Sequence, residues 1–111
     1  MRALLIDPWT RTIREVEVED DYRDIYKWLS RSDSKVKTFC LGGHWSNGDA
    51  LYVDDEGLFK VDNKVFHVNG QNLSGMGLVL GSDHRGESVD AKMSLHDMKS
   101  NVFWTDLVVV G

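Results

Sequence analysis

The apolar positions of this chain change period as they run, and each period predicts an element. Ala3 to Ile6 is an uninterrupted apolar run, the mark of a strand covered on both faces. Asp7-Pro8-Trp9-Thr10 then brings turn chemistry, since proline fixes φ, and the chain should reverse there. Val16 and Val18 alternate with Glu15, Glu17 and Glu19 as in a half-buried strand; Ile13 falls on the opposite parity, and a bulge near Arg14 would return it to the core side. Tyr22, Ile25, Tyr26 and Leu29 recur at spacings of three and four, which predicts a helix over 22–29 capped by Asp20 or Asp21, with Trp28 flanking the stripe. Ser30, Ser32, Asp33 and Ser34 end that pattern, and Val36 to Leu41 reads as a strand that stops at Gly42-Gly43.

From Gly48 to Gly86 glycines repeatedly interrupt strand-like runs, so this block reads as sheet-forming. Between Tyr52 and Phe59, Asp54-Asp55-Glu56-Gly57 suits a type I turn closed by a left-handed glycine, which predicts a hairpin. A polar connection over 60–64 leads to a short strand, Val65 to Val68, and Leu78 to Leu80 is expected to be a central one. Ser94 with Asp97 three positions on resembles a capping box and predicts a helix from Leu95 to about Asn101, with Leu95, Met98 and Val102 inward. The last run, Val102-Phe103-Trp104 and then Leu107 to Val110, is rich in β formers; as an edge strand it would be open to self-association, giving a homo-oligomer through the C-terminal strand. The expected fold is α+β, a mainly antiparallel sheet of roughly five to seven strands with one or two helices packed on one face, in a single domain over 1–111.

Composition narrows function by exclusion. At 111 residues the chain suits one domain that buries roughly two thirds of the surface its unfolded form exposes. A formal charge of -5 disfavours direct nucleic-acid binding, which needs a basic face that releases counterions. Acidic residues gather at Glu15, Glu17, Glu19, Asp20, Asp21 and Asp24; a DNA-mimic reading competes there with a solvated strand face followed by a helix start, and the second is simpler because carboxylates are favoured at that helix end. The single cysteine, Cys40, makes no internal disulfide and fits a reducing cytoplasm. Neither a secretory apolar segment nor a run near the ~20 residues of a membrane span is present, so a soluble cytoplasmic protein with no membrane partner is expected.

Candidate chemistry is sparse. Nucleophile, base and metal-ligand types share no recognised catalytic spacing, so no catalytic residue, cofactor or metal is assigned. Gly75, Gly77 and Gly81 superficially suggest a dinucleotide loop, but a strand rather than a helix should follow them. Cys40, His44, His67, His84 and His96 lack the short paired spacings of a zinc site, and a Cys40–His84 nucleophilic pair has no support beyond residue type. Asp54, Asp55 and Glu56 read as turn formers before chelators. Recognition is the better use of Asp83, His84 and Arg85, a polar loop leaving a rigid strand. His44 and Trp45 stand in the flexible polar loop Gly42–Asp49, and Trp9 in the first turn; each tryptophan either packs back or anchors a partner, whereas Trp28 and Trp104 suit the core.

MRALLIDPWTRTIREVEVE, LYVDDEGLFK, VFHVNG and LSGMGLVLGSDHRGES occur in that order. Over Met1 to Phe103 the chain thereby resembles an uncharacterised family of small proteins of bacteriophage, plasmid and actinobacterial genomes, in which an N-terminal strand pair precedes a YVDDEG-type hairpin and a G-x-GLVLG segment. The matching positions are Asp7-Pro8, Tyr52 to Gly57, and Gly75, Gly77 and Gly81; the GGHWSNGD loop and the tail from Trp104 to Gly111 depart from the pattern. The resemblance implies association with a mobile element rather than a reaction, and carries no catalytic residues. The expectation is a non-enzymatic binding protein that acts on a host protein or protein complex in the host cytoplasm, counter-defence such as restriction or CRISPR inhibition being its sharpest form. The alternative is a binder of a small nucleotide signal at an oligomer interface, with His84 and Arg85 meeting phosphate. A third reading is an enzyme using Cys40 or the clustered carboxylates.

Overall fold

The N-terminal apolar run becomes strand β1 (Arg2–Asp7), whose Ala3, Leu4, Leu5 and Ile6 are all buried because both its faces are covered. The computed structural model describes residues 1–32 and 34–110; Asp33, within the expected break after the first helix, and Gly111 lie outside the described residues. The chain turns back through Pro8–Arg11 into β2 (Thr12–Glu17), in unbroken antiparallel register from Arg2 opposite Glu17 to Asp7 opposite Thr12. The bulge expected at Arg14 is therefore not formed. Ile13 and Val16 enter different cores, one on each face of the sheet, so the odd parity of Ile13 needs no correction. Arg11 closes the hairpin in the left-handed region at φ 53°, a conformation that costs a side chain about 1 kcal/mol.

Helix α1 (Tyr22–Leu29) follows, then β3 (Phe39–His44), β4 (Ala50–Asp54), a 3-10 turn (Gly57–Phe59), β5 (Lys64–Val68), β6 (Gln71–Ser74), β7 (Gly77–Ser82), β8 (Ser88–Val89), α2 (Leu95–Asn101) and β9 (Val102–Val108). The class is α+β with antiparallel sheets. The larger sheet has six strands in the order β2-β1-β7-β4-β3, with β8 pairing the far end of β7; the smaller has three, β6-β5-β9. β7 is central, as its apolar run predicts.

The helices do not share a face. Ile25 and Leu29 of α1 pack with Leu5, Leu78 and Leu80 on one side of the large sheet. On the other side Leu4, Leu51 and Val79 meet Phe66 and Val68 of the small sheet, and Met98 of α2 completes that core. The expected single layer of helices is thus corrected: the small sheet covers only part of this face, and α2 fills the rest over β2 and β9. Both expected caps form. Asp21 Oδ1 accepts from Arg23 N–H at 2.9 Å, and Ser94 Oγ accepts from Asp97 N–H at 3.0 Å. Tyr22, expected on the inward stripe, is instead exposed in the first turn.

Three expectations about strands change. The strand expected over 36–41 lies further along and runs through Gly42-Gly43, bulging between Leu41 and Gly43; Gly42 lets Leu73 close in, since a Cβ there would stand 3.0 Å from its Cδ1. The Tyr52–Phe59 hairpin does not form, because β4 is already paired on both edges, by β3 and β7, and the chain must leave for the other sheet. Gly57 has no positive φ; it is required by close approach, with a Cβ falling 2.6 Å from Ser74 Oγ. Finally, Asn69 and Gly70 both adopt positive φ and join β5 to the unanticipated β6.

Candidate functional site

At one end of the large sheet two turns and a helix start meet. Residues 45–49 join β3 to β4 and residues 83–87 join β7 to β8. Register sets these turns side by side: Ala50 lies opposite both His44 and Leu80, and Ser82 N–H donates to Gly48 O at 3.0 Å. β1 starts and β2 ends at the same rim, which brings Glu19–Tyr22 alongside Glu87 and Ser88.

The 45–49 turn is pinned, not the flexible loop its sequence suggests. Its anchor is Asp49, whose side chain is fully buried; Lys92 N–H donates to Oδ1 and Met93 N–H to Oδ2, each at 2.8 Å, and Asn47 Nδ2 donates at 3.3 Å. A buried carboxylate is costly unless its lone pairs are met, and here they are. Sequence reading missed Asp49: Asn-Gly-Asp announces a turn, but nothing local announces burial against residues more than 40 positions on. Trp45 packs against the core beneath this turn, while His44 stays exposed.

Asp83 shapes the second turn, its Oδ1 accepting from Arg85 N–H at 2.8 Å and Glu87 N–H at 3.0 Å. His84 and Arg85 are exposed there. His44, Trp45, Asp83, His84 and Arg85 thus share one rim. Trp9 does not: it sits at the opposite end of the sheet, half-buried under the Arg31 guanidinium, 3.7 Å from the ring centroid. Both turn tryptophans pack back on the chain, and Trp28 and Trp104 lie half-buried against the two cores.

A cleft of about 410 Å³ opens at this rim, walled by Met1, Glu19, Asp20, Asp21, Tyr22 and Glu87. Past Met1, Asp20 and Ser88 it adjoins a second of about 540 Å³ toward Asp90 and Lys92. Part of the acidic charge is engaged internally. Asp21 caps α1 and holds Arg23 at 2.8 Å, and these hydrogen bonds keep its carboxyl below the usual value. The Met1 amine donates to Glu17 at 3.0 Å, which raises the amine above its ordinary range. Asp20 and Glu87 have no counter-ion among the described residues. Tyr22, in the same cleft, is 66% exposed.

The one nucleophile–base pair weighed from sequence, Cys40 with His84, is held apart. Cys40 pairs with Val53, and Val53 with Gly77, at the end of β7 remote from His84, so no Cys40–His84 pair forms. Burial first, then a hydrogen bond with Asp55, pushes the Cys40 thiol up, away from the thiolate a nucleophile needs. Asp54 is buried, accepts from Glu56 N–H at 2.9 Å and pairs with Lys60 Nζ at 2.5 Å, a structural arrangement rather than an open chelator. Gly77 opens a strand, so its glycines cradle no phosphate at a helix start. Among the described residues no three His, Cys, Asp or Glu are grouped to hold a metal ion, and no helix is long and apolar enough to cross a membrane. No family model, curated protein or solved structure matches the chain.

Proposed function

We propose that the chain is a non-enzymatic binding protein whose acidic rim receives a basic surface of a protein partner. The cleft carries this reading: carboxylates from two distant segments wall it, Asp20 and Glu87 are without a counter-ion among the described residues, and the Tyr22 ring is exposed among them. Acidic residues at a helix start have a local explanation in the helix dipole. Glu87 does not, because it comes from the β7–β8 turn. Exposed charge of one sign steers an oppositely charged partner and fixes register, and an aromatic ring adds apolar contact. Turns already fixed in the free protein lower the ordering cost of binding.

The sequence resemblance to small phage and plasmid proteins supports a host protein complex as the partner, with counter-defence the sharpest form. Affinity capture from host lysate tests this, run in parallel with an Asp20→Lys/Glu87→Lys variant. A stoichiometric protein held by the parent chain, released by salt and lost by the variant supports it. A partner held equally by both, or none recovered from a protein active in cells, contradicts it. Self-association is a separate reading favoured by β9, an outer strand with Phe103 and Leu107 exposed, although its bulge between Trp104 and Val108 blunts that edge. Sedimentation at rising concentration decides it. His84 and Arg85 stand beside Glu87 at an acidic cleft, a poor setting for the phosphate of a nucleotide signal.

A further inference from the structure

Away from the acidic rim, positive charge gathers around one aromatic pocket. It measures about 290 Å³, opens between the start of β2, the last turn of α2 and β9, and is lined by Arg11, Thr12, Ile13, Lys99 and Trp104. Among the described residues no carboxylate lines it, Asp106 pairing with Arg11 from outside the lining, in a chain of net charge -5. Ile13 is buried and Trp104 half-buried, which makes this lining partly apolar and aromatic. Two of these residues have local explanations: Trp104 packs on the core, and Lys99 suits the end of a helix.

Those explanations do not cover Arg11. It holds a left-handed backbone that glycine would adopt more easily, and its Nη2 reaches across to β9, meeting Asp106 Oδ1 at 2.5 Å and Thr105 O at 3.4 Å. β9 bulges between Trp104 and Val108, over these same residues, and bulges commonly re-aim side chains beside binding sites. Lys99 has no counter-ion among the described residues. A strained backbone, a bulge and an uncompensated cation therefore converge on one pocket, and strain held by surrounding structure is a motive for seeking function there.

We propose that this pocket binds a small planar aromatic anion, its ring against Trp104 and its carboxylate or phosphate between Arg11 and Lys99. Charge-assisted hydrogen bonds from the two cations would hold the anionic group, and stacking on the indole would hold the ring. The volume, about 290 Å³, lies just below the range of about 300–1,000 Å³ for drug-sized clefts, so the pocket suits a small ligand with one aromatic ring system and one anionic group. Asp106 is the resident counter-ion: exposed on the protein surface, it occupies Arg11 in the free protein and gives way as the ligand's anion arrives. This site is separate from the acidic rim and does not depend on it.

Titration of the full chain with AMP and with benzoate, read by tryptophan fluorescence and calorimetry, tests the proposal. Adenosine and inorganic phosphate serve as probes carrying only a ring or only a charge. Saturable binding of AMP, benzoate or both is expected, weakened about tenfold by Lys99→Gln. Arg11→Gly should weaken it similarly while keeping the fold, since glycine accepts that φ. Asp106→Asn should strengthen it by freeing Arg11, a gain that a purely structural cluster would not show. Binding of AMP alone would assign a phosphate ester, and of benzoate alone a carboxylate. No saturable binding of either, adenosine or phosphate bound as tightly as AMP, or indifference to all three substitutions would overturn the proposal.

Discussion

The two ends of the large sheet meet water in opposite ways. One end is the acidic rim, where Asp20 and Glu87 have no counter-ion among the described residues. At the other, Leu58, Phe59 and Val61 follow β4, and Val108 and Val110 join that corner through backbone bonds between Asp62 N–H and Val109 O at 3.0 Å and between Val109 N–H and Asn63 O at 2.9 Å. Phe59 is 84% exposed. Both ends are rigidly built: Asp49 pins the rim, while at the corner Asn63 Nδ2 donates to Gly57 O at 3.1 Å and Gly57 presses against Ser74. Rigidity therefore does not distinguish the two ends; the exposed chemistry does. Charge at the rim favours field-guided, salt-sensitive recognition, whereas the corner would associate through apolar contact that salt does not screen.

The comparison breaks most violently at Asp49. Asp49→Ala removes the acceptors of two part-buried amides and should cost about 2–4 kcal/mol in denaturant unfolding, with the loss of order centred on the rim. Gly57→Ala should do the same for the corner on a smaller scale, about 1–3 kcal/mol, since backbone as well as the Ser74 hydroxyl must shift. Asp21→Ala removes the α1 cap for about 1 kcal/mol by the same measurement. Asp20→Lys with Glu87→Lys should change stability by less than about 1 kcal/mol while removing partner capture, so that function and folding separate at the rim. The smallest effect lies at Cys40. Its folded thiol titrates above the ordinary 9.0, so below that pH both states hold the proton and nothing changes; above it the unfolded chain loses the proton first and stability falls. Comparing unfolding between pH 8 and pH 10, roughly a unit either side of that value, the parent chain should show a steeper loss than Cys40→Ser.

What could be read from sequence was local. Asp21 and Ser94 announced their helices because a cap is a contact between neighbours, and Ala3–Ile6 and Leu78–Leu80 announced covered strands by unbroken apolar runs. Asn69-Gly70 carries an equally local hairpin signal and forms the β5–β6 turn, whereas the carboxylates and glycine of Asp54–Gly57 serve an ion pair and a close approach instead. The second sheet was beyond local reading, since β5 pairs with β9 across the whole central strand and α2. The acidic rim was half visible: Glu19–Asp21 stood out as a cluster, but Glu87 joins them only through the sheet register. The Arg11–Lys99–Trp104 pocket had no sequence signal, because Arg11 comes from the first turn and meets Lys99 and Trp104 of the consecutive α2 and β9 only through the fold.

The most direct test of the rim is amide hydrogen exchange on the captured complex against the free chain. Added protection over 19–22 and 86–90, with 57–61 and 107–110 exchanging as before, is the predicted footprint. Protection confined to the Leu58–Val61 corner and the β9 tail, with the rim unchanged, would contradict the account.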